Sequence, residues 1–334
     1  MRIRRFVSIN LALLFVCGCS RTVHDSSYVP QLVHAHGNYV NDISVSPDGS
    51  LIASVSSDAK LKIFESVSLK ERTSVKSKWI GLNSVAFSPD AKVVAVSDIA
   101  GGIEFFDSAN CQSIKRIKAH KNEVVSISYS PDGKYIASAS KDGAIKVFSV
   151  ADGKEIFCKA CRINDSLPSF IIFSNDNKFL AASVGDTVIV ISVDSWQELK
   201  RFHATGPDFP VQSMAFSPDG KTIAIGTHLN VRLWQIPSGR LKRNISAHFG
   251  RIMSVAFSPD GKWLASGGGL QYFDSKIKIW DTNSGTQLSE IDMHEMPVSA
   301  LCFSPNSRFL YSGSWDEKIG MIDMGKVLLG KLSK

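Results

Sequence analysis

Ser217-Pro218-Asp219-Gly220, with the apolar run that leads into it, is the stretch on which the reading of this chain turns. The same four residues return at Ser46 to Gly49, Ser130 to Gly133 and Ser258 to Gly261. Looser copies stand at Ser88-Pro89-Asp90-Ala91, Ser174-Asn175-Asp176-Asn177 and Ser304-Pro305-Asn306-Ser307, so that seven copies lie 41 to 46 residues apart. Such a period marks a propeller or an array. The chemistry of the tetrapeptide is that of a tight turn: Ser bonds the local backbone, Pro presets φ, and Asp and Gly tolerate the last two positions.

Outward from each turn the grammar repeats. Around the third copy, Val124-Val125-Ser126-Ile127-Ser128-Tyr129 precedes the turn and Tyr135-Ile136-Ala137-Ser138-Ala139-Ser140 follows it. A second turn at Lys141-Asp142-Gly143 leads to Ala144-Ile145-Lys146-Val147-Phe148, and a more polar run, Glu155-Ile156-Phe157-Cys158, comes last. Runs rich in β-branched and aromatic residues joined by turn residues predict an antiparallel meander of four strands. A polar outermost strand protects the edge of such a sheet. The fold class is therefore all-β, and the repeat lets one domain grow past the size of a usual single core. The formal charge is +7, of which Arg2, Arg4 and Arg5 supply three, leaving +4 on the rest. That surplus is too small to point to nucleic acid.

On these residues the chain resembles the WD-repeat β-propeller family over about residues 30 to 334. The family's Gly-His position is held by Ala35-His36, Ala119-His120 and Ala247-His248, and more weakly by Met293-His294. Its turn Asp is matched by Asp58, Asp142, Asp274 and Asp316, and its Trp-Asp pair by Trp280-Asp281. The resemblance implies structural hydrogen-bond networks through His36, Ser56, Asp58 and Phe64, and through His120, Ser140, Asp142 and Phe148, with His248 in the same role. Repeats 2, 4 and 5 depart from it, with Ala100, Gly185 and His228 where the turn Asp is expected. Seven repeats suit a closed, seven-bladed β-propeller of four-stranded antiparallel blades. Two segments compete for the strand that closes the ring, Pro30–His34 and Lys326–Leu329, and the N-terminal one is preferred.

Residues 1–18 read as a signal peptide: Arg2, Arg4 and Arg5, then the short apolar core Leu11 to Val16, then small residues. Val16-Cys17-Gly18-Cys19 resembles a bacterial lipobox, which implies lipidation (palmitate) of Cys19 as the mature N-terminus. Residues 19–29 would then be the lipidated N-terminus and its tether, and 30–334 the propeller. With Ser20 following Cys19, the expected location is the bacterial cell envelope, lipid-anchored at the outer membrane.

For chemistry the sequence offers little. The recurring histidines belong to the framework, and no catalytic residue, metal site or cofactor is expected. Cys158-Lys159-Ala160-Cys161 has disulfide or zinc spacing but no second pair, so a local disulfide competes with two unpaired thiols. Cys302 occupies a position filled by small residues in other repeats, a packing role. Function is expected where the repeat breaks, on loops at the end that carries the turn Asp residues. The partner-binding candidates are Tyr39, Trp79, Glu123, Lys141, Phe209, Arg251, Tyr272, Phe273 and Trp315, with Phe249 beside them. Aromatic residues and Arg are the types that anchor interfaces. Insertions at Gly267 to Phe273 and Thr205 to Pro210 should project there. The expected function is a non-catalytic scaffold that binds another protein or an extended peptide, and no nucleic acid. The alternatives are a propeller enzyme using the central cavity (hydrolase, lyase or quinoprotein-like) and an outer-membrane protein assembly factor.

Overall fold

A computed structural model describes residues 29–163, 165–206, 209–269 and 274–329. The expected signal peptide, Cys19, nearly all of the tether, and Tyr272 and Phe273 lie outside the described residues.

After a short first strand, β1 (Gln31–His34), the chain forms successive antiparallel meanders. The first holds β2 (Val40–Val45), β3 (Leu51–Ser56), β4 (Lys60–Glu65) and β5 (Glu71–Lys76). The second holds β6 (Leu82–Phe87), β7 (Val93–Asp98), β8 (Gly102–Asp107) and β9 (Ser113–Lys118). The third is β10 (Val124–Tyr129), β11 (Tyr135–Ser140), β12 (Ala144–Ser149) and β13 (Glu155–Ala160). The fourth is β14 (Pro168–Phe173), β15 (Phe179–Val184), β16 (Thr187–Ser192) and β17 (Glu198–His203). A larger sheet follows: β18 (Ser213–Phe216), β19 (Thr222–Gly226), β20 (His228–Gln235), β21 (Arg240–Phe257), β22 (Trp263–Gly269), β23 (Ile277–Asp281) and β24 (Gln287–Ile291). It is continuous because β21 pairs with β20 through its first half and with β22 through its second. The last sheet is β25 (Val298–Phe303), β26 (Phe309–Ser314) and β27 (Lys318–Asp323), with β1 added outside β27.

The Ser-Pro-Asp-Gly turns close their hairpins as their chemistry requires. The Ser217 hydroxyl donates to Asp219 at 2.6 Å and accepts the Thr222 N–H at 2.9 Å, while the Gly220 N–H donates to the Ser217 carbonyl. Gly220 has φ 68°, the left-handed region that glycine enters without strain. In the looser copies Ala91, Asn177 and Ser307 are forced to φ 62°, 59° and 59°.

The first strands of the meanders pack in a circuit: β2 on β6, β6 on β10, β10 on β14, β14 on β18, β18 on β21, β21 on β25, and β25 back on β2. The sheets stand side by side around this circuit with their apolar faces together. Ile145 and Val147 of β12, for example, meet Leu180, Ile189 and Ile191 of the next sheet, all buried. Each such side chain contributes about 1.5–3 kcal/mol of burial. Polar side chains also tie the first strands edge to edge: the Val85 N–H donates to Asp42, the Ile127 N–H to Ser84 and the Ile171 N–H to Ser126.

Closure is made by the N-terminal strand, with Gln31 opposite Met321 and His34 opposite Lys318. The tail instead folds as a short helix, α1 (Met324–Leu329), whose Met324, Val327 and Leu328 pack on Ile291 and Leu288. Gly267 to Gly269, expected within an enlarged turn, belong to β22. They are glycines because the neighbours stand so close: a Cβ on Gly268 would lie 2.6 Å from the His248 ring and 2.2 Å from the Asp274 carbonyl.

Candidate functional site: one end of the ring and its axis

The turns at one end of the ring are fixed by a repeated set of bonds. His36 donates from Nδ1 to Asp58 at 3.1 Å, and its Nε2 meets the Ser54 hydroxyl at 2.7 Å. His120 meets Asp142 and Ser138 in the same way at 3.0 and 2.8 Å, and His294 meets Asp316 and Ser312 at 2.9 and 2.8 Å. His248 joins Asp274 and Ser266, and here Trp280 Nε1 also donates to Ser266 at 2.9 Å. Burial pushes the imidazoles of His36 and His120 below the ordinary histidine value, outweighing the pull of their carboxylates. Burial alone would raise Asp274, but the His248 hydrogen bond and charge and the Phe249 N–H bring it down to about 2. In the His36 and His120 pairs, neutral imidazole against ionised carboxylate is a structural bond, with both ring nitrogens partnered.

The serine differs from the one expected. Ser56 and Ser140 are buried beside the histidines, but their hydroxyls donate to the Asn38 and Asn122 carbonyls and accept the N–H of Asp58 and Asp142. They shape the turn, and Ser54 and Ser138 hold the imidazole.

Where the turn Asp is missing, other groups fill the space. In the second repeat Asp98, two residues before Ala100, accepts the Ala100 and Gly102 N–H groups and pairs with Arg116 at 2.9 Å. A Cβ on Gly102 would stand 2.0 Å from that guanidinium, so glycine makes its room. In the fourth repeat an exposed His203 pairs with Asp186 at 2.9 Å. In the fifth, His228 stacks on Phe209 with ring centres 4.9 Å apart.

The described partner-binding candidates fall on the same end, where a backbone bond joins the two loops in several repeats, as from the Ser57 N–H to the Tyr39 carbonyl and from the Trp315 N–H to the Pro297 carbonyl. Tyr39, 44% exposed, stacks on Trp315 at 5.2 Å across the join between the first and last sheets. Trp79 lies over the Arg116 guanidinium at 4.0 Å, beside Ile80, which is 78% exposed. Glu123 and Lys141 engage each other at 2.6 Å, and Asn83 donates to Glu123. Phe209, against His228, and Arg251, paired opposite His228, form a separate group on the far side of the ring. Phe249 is 74% exposed. Ile80, Ile99 and Met296 are exposed on these loops too. Their signal in the sequence was the same lack of recurrence, but aliphatic residues do not advertise an interface as aromatics do.

Among the described residues the cysteines offer no paired chemistry: Cys158 is exposed on β13, Cys161 is buried, and both are free thiols, as are Cys111 and Cys302. Cys111 sits in the turn before β9 at φ 58°. Among the described residues no three His, Cys, Asp or Glu side chains converge as metal donors.

Along the axis, the first strands surround a cavity of about 370 Å³. Asp42 and Tyr129 are the titratable side chains among its lining residues, most of the others being Ser, Asn and apolar groups. Asp42 accepts bonds from the Ile43 and Val85 N–H groups and from the Ser84 hydroxyl.

The family described as WD domain, G-beta repeat matches residues 28–65, 111–149, 196–235, 239–281 and 285–323. No curated protein matches the chain. The gaps at 66–110 and 150–195 hold the first three strands of the second and fourth repeats, whose Asp98 and Asp186 pair with Arg116 and His203 on the fourth strands in place of the buried His–Asp pair. With more than half of its residues matched and its histidines, serines and turn carboxylates joined in one recurring bond set, the chain belongs to the WD domain, G-beta repeat family.

Proposed function

We propose that this chain is a non-catalytic scaffold, a closed seven-bladed propeller that binds another protein or an extended peptide on the end bearing Tyr39, Trp79, Phe209, Phe249, Arg251 and Trp315. WD-repeat domains generally mediate protein–protein interactions. The count of seven is supported by the seven copies of the Ser-Pro-Asp-Gly turn, by the circuit of first strands, and by reading the large sheet as two blades that share β21. The observation that carries the binding surface is the Tyr39–Trp315 stack, with Tyr39 exposed and Trp315 half-buried. Framework residues recur from repeat to repeat, and this pair does neither that nor any core packing. Large, stiff aromatics at the centre of an interface supply much of its energy.

We further propose a lipid on Cys19 and a place at the bacterial envelope, supported by the basic, apolar and Cys19 pattern of residues 1–19.

The test is a photoreactive side chain placed at position 315, 39 or 249 of the full-length chain in its own cells, with one at the outer-strand residue Ile156 as control. Adducts to the same partner from the three loop positions and none from 156 support the surface. Equal labelling from 156, or none anywhere, overturns it. Trp315→Ala should weaken capture of that partner by about tenfold or more without lowering Tm. For the anchor, a palmitate analogue should label the wild type and not Cys19→Ala, and an unlabelled wild type removes that part of the reading.

A further inference from the structure

We propose that the axial cavity is a binding site for a small organic ammonium ion, its charged head against Asp42 and its carbon chain against Phe170, Met214 and Met253.

The cavity wall carries an unbalanced charge. Asp42 sits in the cavity wall where β2 meets β6, and its three donors, the Ile43 N–H at 2.9 Å, the Ser84 hydroxyl at 2.8 Å and the Val85 N–H at 3.0 Å, are all neutral. Among the described residues no Lys, Arg or His lines the cavity. The titratable groups on the strands around Asp42 do not help: β3 and β6 have none, β25 has Cys302 and β26 has Tyr311. Burial holds both neutral, pushing the tyrosine up to about 12 and the thiol beyond. A carboxylate half-buried in a cavity wall without a cation is costly, and burial raises Asp42 to about 6 against the downward pull of its three hydrogen bonds. At neutral pH it is still ionised, and only a charge from outside can complete the pairing.

The cavity decides what kind of cation. Dedicated metal sites gather several oxygen ligands around the ion, whereas Asp42 stands alone and most of its lone pairs are already used. A volume of about 370 Å³ falls in the range of small-molecule sites. The wall is also two-sided. Near Asp42 it presents Asn41, Asn83 and Ser84. Following the packing circuit, β14 and β18 lie across the axis from β2, and there the wall presents Phe170 and Met214, with Met253 of β21 beside them and the hydroxyls of Ser213 and Ser254 between. One negative pole facing an apolar, adaptable wall fits an ammonium head on a short hydrocarbon chain.

The test is calorimetric titration of the purified full-length chain at neutral pH with hexylammonium chloride, hexanol and potassium chloride. Saturable binding of hexylammonium is expected, with hexanol weaker by about tenfold or more, as for loss of one charged hydrogen bond. Asp42→Asn should lose about the same factor. Met253→Trp, which narrows the cavity from the other side without touching Asp42, should also weaken binding. Affinity should rise as pH is raised through about 6, where the carboxylate of the empty protein ionises. Absence of saturable hexylammonium binding, equal binding of hexanol, or unchanged binding by either folded variant overturns the proposal. So does potassium chloride that displaces the ligand at matched concentration, which would leave a site for inorganic cations. If Asp42→Asn fails to fold by circular dichroism, Met253→Trp decides alone.

Discussion

At the scale of single residues, the turn that defines the period also exposes where the sequence has drifted from it. Ala91 occupies the position of Gly220 and is held at φ 62°, where a Cβ crowds the following carbonyl. Ala91→Gly should therefore stabilise the protein by about 1 kcal/mol in urea denaturation. Asp142→Ala removes the acceptor of the His120 imidazole and of the Lys121 and Ala144 N–H groups, and should cost about 1–3 kcal/mol, visible as a lower Tm. The His–Asp pairs were legible because both members recur at fixed spacing. The serine was not, for a stereochemical reason: residues two apart on a strand share a face, so Ser54 and Ser56 present the same pattern to the reader and only coordinates separate them. Asp98 and Arg116 were illegible because one space can be filled by chemically different groups. A guanidinium arriving from β9 does the work of an imidazole, with Gly102 clearing its way.

At the scale of elements, the strands could be read from alternation and turn residues, and their order follows from antiparallel meanders. The two surprises concern ends and joins. The apolar run Lys326 to Leu329 suited a strand as well as a helix, since periodicity cannot separate the two over so few residues. Packing on Leu288 and Ile291 selects the helix. The strand β21 runs through what the repeat presents as a boundary, because His228 and Asn230 extend the ladder with Arg251 and Ser246 on either side of a bulge. Of all the strands, β1 has the greatest leverage. Deleting residues 31–34 would leave β27 with an unpaired edge. The truncated chain should melt at lower temperature and self-associate in light scattering, because an open edge recruits other strands.

At the scale of the whole molecule, two kinds of buried titratable group oppose each other in their response to pH. His36 and His120 have folded pKa values below the 6.5 of the free side chain, so on acidification the unfolded chain takes up protons first and their contribution destabilises the fold below about that pH. Asp42 runs the other way. Its folded value of about 6 lies above 3.8, the fold binds the proton first, and the stability it contributes is lost as pH rises through that interval. Relative to wild type, Asp42→Asn should therefore be more stable at about pH 8 than at about pH 4 in chemical denaturation. Asp42 illustrates why the axis stayed hidden in the sequence: six other first strands put Ser, Ala or Phe at the matching position, and nothing local marks one carboxylate among them as enclosed.

The pairing of β1 with β27 also gives the molecule a front and a back. Gln31 lies opposite Met321, next to the Ser304–Ser307 turn end of the ring, whereas Tyr39 and Trp315 lie at the other. The chain therefore enters the closing strand from the face opposite the aromatic stack, and the two ends of the ring are chemically distinct surfaces.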